Sequence, residues 1–261
     1  MRVIIVKDDD AGAQLASAAI IRRFQRQPKS VLGLATGSSP LGIYQRLIAA
    51  YENGEVSFAD AWAFQLDEYI GLDANHPQLY RNVIDELLAK HVDFQPGRVH
   101  APDGLARDLA SAGPAYDELI EAAGGVDVQI LGIGTDGHIA FNEPGASFAA
   151  GTHVEALTEQ TRTDNARFFD GDITQVPTHA LTQGLGTIMR ARQLIMVANG
   201  EGKAEAIAQL VEGPVSVSWP ATIMQHHPHA AVIVDEAAAS KLQRQDFYRH
   251  AWENRLDFQE L

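Results

Sequence analysis

No cysteine occurs in the 261 residues. Disulfides, thiolate nucleophiles and cysteine-ligated zinc are therefore excluded. Basic residues are scarce: 20 Lys and Arg stand against 34 Asp and Glu, a formal charge of −14. A chain this acidic is not expected to bind nucleic acid through its general field. An anionic small molecule would need a locally arranged site. Long apolar runs are missing too, none approaching the roughly 20 residues that span a bilayer, so no membrane partner is expected. The N-terminus, Met1-Arg2-Val3-Ile4-Ile5-Val6-Lys7-Asp8, reads as a short strand followed by acids rather than a signal peptide. The cytoplasm is the expected location. Repeats and Pro/Ser-rich linkers are absent, and a single domain over 1–261 is the simplest organisation.

What is present is an alternation of short apolar runs and amphipathic segments. Strands are expected at Arg2–Val6, Val31–Ala35, Ala61–Leu66, Val126–Ile133, Gln193–Ala198 and Ala230–Val234. These runs show little polar alternation, as strands buried on both faces do. Helical patterns cover Ala11–Arg26, Leu41–Tyr51, Gln78–His91, Arg107–Ala123, Ala180–Ala191 and Gly202–Val211. Pro77 suits a first helical position, with Asn75 as a nearby cap. The alternation implies an α/β fold, an open, mostly parallel Rossmann-like sheet with helices on both faces. The span 151–178 is polar and irregular, which fits either an active-site lid or a surface insertion.

Ligands of open parallel sheets bind beyond the carboxyl ends of the strands, so the residues just after each strand matter most. Thr36-Gly37-Ser38-Ser39 precedes a helix, where free N–H groups and the dipole suit a phosphate. It is neither a P-loop nor a dinucleotide fingerprint, and an ordinary turn with a Ser cap is the plain alternative. Asp67-Glu68 follows the third strand. An acid there can act as a base if it faces a cleft, or it can cap a helix or meet solvent.

The fourth strand leads into Gly134-Thr135-Asp136-Gly137-His138-Ile139-Ala140-Phe141-Asn142-Glu143-Pro144-Gly145. Here Asp136 and Glu143 flank His138, and histidine is the side chain whose unperturbed charge change falls near neutral pH. Flanking carboxylates hold an imidazole tautomer and stabilise its cation, so the cluster points to proton transfer. The same residues can bind a metal, but no second nearby histidine supports that. Lys203 opens a helix, where a cation is disfavoured unless an anion offsets it. Arg167 is a second candidate cation in the irregular span. His226, His227 and His229 sit where a loop is expected, and no catalytic role is assigned to them.

With these blocks in view, the chain resembles the glucosamine-6-phosphate deaminase (glucosamine-6-phosphate isomerase) family along nearly its whole length. The resemblance is carried by 33–40, by Leu66-Asp67-Glu68-Tyr69-Ile70-Gly71-Leu72, by 134–144, by Asn165-Ala166-Arg167-Phe168-Phe169 with Val176-Pro177, and by Gly200-Glu201-Gly202-Lys203. It implies a fold of the sugar-phosphate isomerase type and a reaction without a cofactor or metal. Glucosamine 6-phosphate and water give fructose 6-phosphate and ammonia, as in the breakdown of amino sugars such as N-acetylglucosamine. By the same resemblance, Asp67 takes the C2 proton and His138 opens the sugar ring, tuned by Asp136 and Glu143. Thr36, Gly37, Ser38, Ser39, Arg167 and Lys203 bind phosphate, Gly137 lies near the sugar, and the segment from 151 is a mobile lid.

Some members of the family are hexamers activated by N-acetylglucosamine 6-phosphate. Two basic residues of that site correspond to His153 and Glu155 here. A glutamate repels a phosphate, so weak or absent activation is expected, along with a homo-oligomer, hexamer or smaller. The rival readings are 6-phosphogluconolactone hydrolysis, ketosamine-phosphate isomerisation and a non-catalytic sugar-phosphate-sensing domain. A Rossmann dehydrogenase would need a glycine fingerprint that is absent.

Overall fold

The structure, a computed structural model, describes residues 1–256, 259 and 261. The elements run β1 (Arg2–Val6), α1 (Asp9–Arg26), β2 (Val31–Leu34), α2 (Leu41–Glu52), β3 (Trp62–Gln65), β4 (Asp67–Tyr69), α3 (Tyr80–Leu87), β5 (Val99–His100) and α4 (Leu109–Ala122). They continue with β6 (Val128–Leu131), β7 (His153–Ala156), α5 (Glu159–Asn165), β8 (His179–Thr182), α6 (Leu185–Ile188), β9 (Gln193–Ala198), α7 (Ala204–Glu212), β10 (Ala230–Asp235) and α8 (Gln245–Glu253).

Seven strands form one sheet in the order β1-β10-β9-β6-β2-β3-β5, and every pairing in it is parallel. Consecutive residues of β2, β6 and β9 point to opposite faces, yet both sets are buried. The sheet is therefore covered on both sides. Its core runs through Ile4, Leu32, Phe64, Ile130, Ile195 and Val232. Full burial of each such side chain contributes roughly 1.5–3 kcal/mol. The local signals are conventional: the side chains of Asp8 and Asp108 accept N–H groups at the starts of α1 and α4.

A second sheet, β4-β8-β7, is antiparallel. It joins the first at Leu66, where the chain leaves β3 and enters β4 at once. The Leu66 N–H donates to Leu34 O in the main sheet, and its carbonyl accepts from Gln183 N–H beside β8. Tyr69, Phe141, Leu157, Phe169, Val176 and Ala180 form a separate small apolar cluster on this second sheet.

The structure corrects several expectations. The span Ala180–Ala191 is not one helix: it begins as strand β8 and holds only the short α6. Ala180, Leu181, Leu185 and Ile188 lie at helical spacing, but pairing with β4 and β7 decides the first half. The irregular span 151–178 contains β7 and α5. The helix expected from Gln78 starts at Tyr80, and neither Pro77 nor Asn75 begins it.

The cap of α3 comes instead from a distant residue. Glu68 accepts the N–H groups of Tyr80 (2.7 Å) and Arg81 (2.9 Å), as well as that of its neighbour Tyr69 (2.9 Å). Its side chain is fully buried, with Arg81 Nε 4.0 Å away. Glu68→Ala would strand three donors, so we expect a loss of about 3 kcal/mol in urea unfolding. Glu68→Gln keeps one acceptor oxygen and should lose less; equal losses would mean that the carboxylate does not carry the cap.

Candidate active site

Four neighbouring strands, β9, β6, β2 and β3, end on one edge of the main sheet. Thr36–Ser39 follows β2, Asp67 follows β3, the loop 134–138 follows β6, and Lys203 follows β9 by five residues. The parallel register thus gathers residues from distant parts of the sequence.

Asp67 and Glu68 are both buried, but their surroundings differ. Among the described residues no donor meets the Asp67 carboxylate. Burial, aided by the adjacent Glu68 charge, pushes its pKa up to about 8. Burial raises Glu68 as well, but its three backbone donors and Arg81 oppose the shift. The capping role considered for this pair belongs to Glu68 alone, and Asp67 is left as the group able to exchange a proton near neutral pH.

The loop after β6 is tight. Gly134 N–H donates to His138 O, and Gly137 N–H donates to Gly134 O. A Cβ on Gly134 would lie 2.3 Å from the His138 ring, so the imidazole rests directly on that backbone. Gly137 has φ +84, and Trp219 covers its Cα side. Beyond His138 the loop is pinned to the second sheet. Phe141 N–H donates to the Thr182 hydroxyl, and the Asn142 amide donates to Ile139 O and Gln183 O.

These constraints bring the acid–His–acid cluster together as expected. His138 Nδ1 lies 2.8 Å from Asp136 Oδ1 and 3.8 Å from Glu143 Oε2. Burial works against the Asp136 charge, but the hydrogen bond and charge of His138 outweigh it and hold its pKa down to about 2. Asp136 therefore stays ionised beside the ring. Glu143 Oε1 accepts from the Thr158 N–H at 3.1 Å and lies 3.3 Å from the Thr158 hydroxyl. The three groups can each turn one ligand atom to a common point, all within 4.8 Å of one another. Ligand atoms around a tetrahedral metal sit about 3.4 Å apart at ordinary bond lengths. The His138 Nδ1–Asp136 Oδ1 contact, at 2.8 Å, is shorter than that.

The cations are also near one another. Lys203 is partly buried, and its pKa is lowered by that burial; Asp164 and Asp136 oppose the shift while Arg167 adds to it. Arg167 is exposed, with its guanidinium over the Phe168 ring. At the 36–39 loop no side chain caps α2, contrary to the plain Ser-capped turn. Of the histidine run near the C-terminus, His227 is buried between Ala191 O and His229 N–H, a structural role.

Several residues at this edge were not singled out from sequence. Tyr69 OH accepts from Tyr80 OH (3.2 Å) and from the Asn165 amide (3.1 Å). This chain ties β4, α3 and α5 together. Thr158 was readable as a helix start, since Thr is a favoured N-cap and Glu159 follows it in the first turn. Its bond to Glu143 depends on tertiary structure.

Fold and edge together define an open parallel α/β protein of the sugar-phosphate isomerase type. The family model described as glucosamine-6-phosphate isomerases/6-phosphogluconolactonase matches residues 9–234, and the chain belongs to that family. A glucosamine-6-phosphate deaminase of Beutenbergia cavernae is 60% identical over 261 residues, covering 100% of both chains. One from Mycolicibacterium smegmatis is 59% identical over 252 residues, covering 97% of each. Among solved structures, a monomeric glucosamine-6-phosphate deaminase superposes with a TM-score of 0.90 at 38% identity, over 92% of this chain and 100% of that one. The 6-phosphogluconolactonase of Trypanosoma brucei shares the fold, with a TM-score of 0.75 at 19% identity over 92% and 98%.

The raised pKa of Asp67 has a consequence for stability. Between about pH 4, where the unfolded carboxyl ionises, and about pH 8, where the folded one does, folding takes up a proton. Its contribution is therefore fully present at low pH and lost as pH rises through that window. We expect Asp67→Asn to melt at a higher temperature than the parent at pH 8, with the gap closing towards pH 4. A gap independent of pH would contradict the assignment.

Proposed function

We infer that this enzyme converts glucosamine 6-phosphate and water into fructose 6-phosphate and ammonia. The observation that carries this reading is the pairing on one sheet edge of a donor-free buried acid with an acid–His–acid cluster. Full-length relatives at 60% and 59% identity that are glucosamine-6-phosphate deaminases support the same reaction. In this reading His138, held as a proton carrier by Asp136 and Glu143, moves the proton that opens the pyranose ring. Asp67 then takes the proton from C2. Return of a proton at C1 leaves an imine at C2, where water adds and ammonia departs. Asp67 must be ionised to accept the proton, and the ammonium group of the substrate, seated at C2, favours that state against burial. Thr36, Gly37, Ser38 and Ser39 with the start of α2, Lys203 and Arg167 hold the 6-phosphate, with Gly137 backbone beside the sugar. The segment 151–178 acts as the lid that excludes water from the site.

Ammonia release from glucosamine 6-phosphate is the direct test. We expect kcat/KM to climb with pH towards about 8, as Asp67 ionises in the free enzyme. Asp67→Asn should lose about a thousandfold or more, and His138→Gln should lose more rate on the cyclic substrate than on an open-chain analogue. No ammonia from the parent enzyme would remove the reading.

Regulation by N-acetylglucosamine 6-phosphate is read as weak or absent. His153 Nε2 is 3.2 Å from Glu155 Oε2, so the two residues engage each other. The open hollow beside His153 is lined by Asp117, Glu118 and Glu121 against the single cation Arg190. This balance disfavours a phosphate. The substrate saturation curve should be unmoved by added N-acetylglucosamine 6-phosphate; a marked leftward shift would refute this. On assembly, a homo-oligomer no larger than a hexamer was expected, whereas the solved relative at 38% identity is monomeric. We favour the monomer, because one of the two basic positions of the activating site is an acid here.

A further inference from the structure

Glu143 is 5% exposed, and its two carboxylate oxygens face different groups. Oε1 takes the Thr158 N–H at 3.1 Å and has the Thr158 hydroxyl at 3.3 Å. Oε2 is buried, has no hydrogen-bond partner among the described residues, and stands 3.8 Å from His138 Nδ1. A carboxylate is planar, so fixing one oxygen aims the other. We propose that Thr158 is a positioning residue for the ring-opening step: it acts on His138 by holding Glu143. This rests on the function proposed above.

Thr158 can do this because it is itself fixed. Its hydroxyl oxygen accepts the Thr161 N–H at 3.1 Å and so caps α5. The other end of α5 is tethered twice. The Thr135 hydroxyl lies 3.3 Å from Asp164 Oδ2, and the Asn165 amide donates to Tyr69 OH. Thr135 immediately precedes Asp136, and Tyr69 lies two residues beyond Asp67. Arg167 lies two residues beyond the end of α5. One helix of seven residues thus bears on the acid–His–acid cluster at one end and carries a phosphate-site cation at the other. A threonine serving only as a helix cap has no need of a buried carboxylate from the catalytic loop.

The test compares Thr158→Val, Thr158→Ser and Thr158→Asp by kcat, KM and melting temperature, using ammonia release from glucosamine 6-phosphate. Val removes the hydroxyl and should lower kcat about tenfold, the effect of one hydrogen bond to a charged group, with KM changed less than twofold. Ser should recover kcat to within about twofold of the parent. Asp separates the two roles, being a good helix cap that sets a second anion against Glu143. It should keep the melting temperature yet lose at least as much kcat as Val. An Asp variant with parental kcat, or a Val variant whose loss appears in melting and KM rather than kcat, would overturn the proposal and leave Thr158 a cap only. Absence of ammonia from the parent enzyme would instead overturn the underlying reading of the reaction.

Discussion

A buried carboxylate is costly unless donors meet it, and β4 places two of them side by side. Much of the site follows from how they are treated. Glu68 takes three backbone N–H groups and thereby starts α3. Asp67 takes none, and its proton affinity rises accordingly. Were the donors shared, α3 would lack its start and Asp67 would be an ordinary ionised acid. The division is made by strand geometry, since successive residues point to opposite faces.

The cluster around His138 depends on close backbone packing rather than on long-range charge. The imidazole lies against a residue without a side chain, its ring nitrogen faces Asp136, and Trp219 closes the loop from the other side. Thr182 and Gln183, at the end of β8, hold the same loop from the second sheet. His138 and Asp67 are therefore held by one shared framework, because β8 pairs with β4 as well.

Six of the seven strands of the main sheet were legible in the sequence because they are apolar runs, whereas β5, only two residues long, was not. The strand-end residues were legible for the same reason: once the strands are placed, Asp67, Asp136, His138 and Lys203 fall on one edge. The second sheet was not legible. Its strands have three or four residues each, and β8 carries apolar residues at helical spacing. Such segments become strands only through partners far away in the chain. The start of α3 was misplaced for a similar reason, since its cap comes from Glu68 and not from a neighbouring residue. Thr158 could be read as a cap, but its contact with Glu143 spans 15 residues and exists only in the folded chain.

Leu66 belongs to both sheets, through its N–H on one side and its carbonyl on the other. The enclosing residues Gln65 and Gln183 reinforce the join, with the Gln183 amide donating to Gln65 O. This makes the two sheets poor modules for recombination. A crossover between homologous genes that separates 62–69 from 179–183 splits a hydrogen-bonded seam rather than a linker. Exchange of the second-sheet side of this fold between relatives is constrained to carry both segments together, so divergence here has to proceed by substitution within the seam and not by swapping parts.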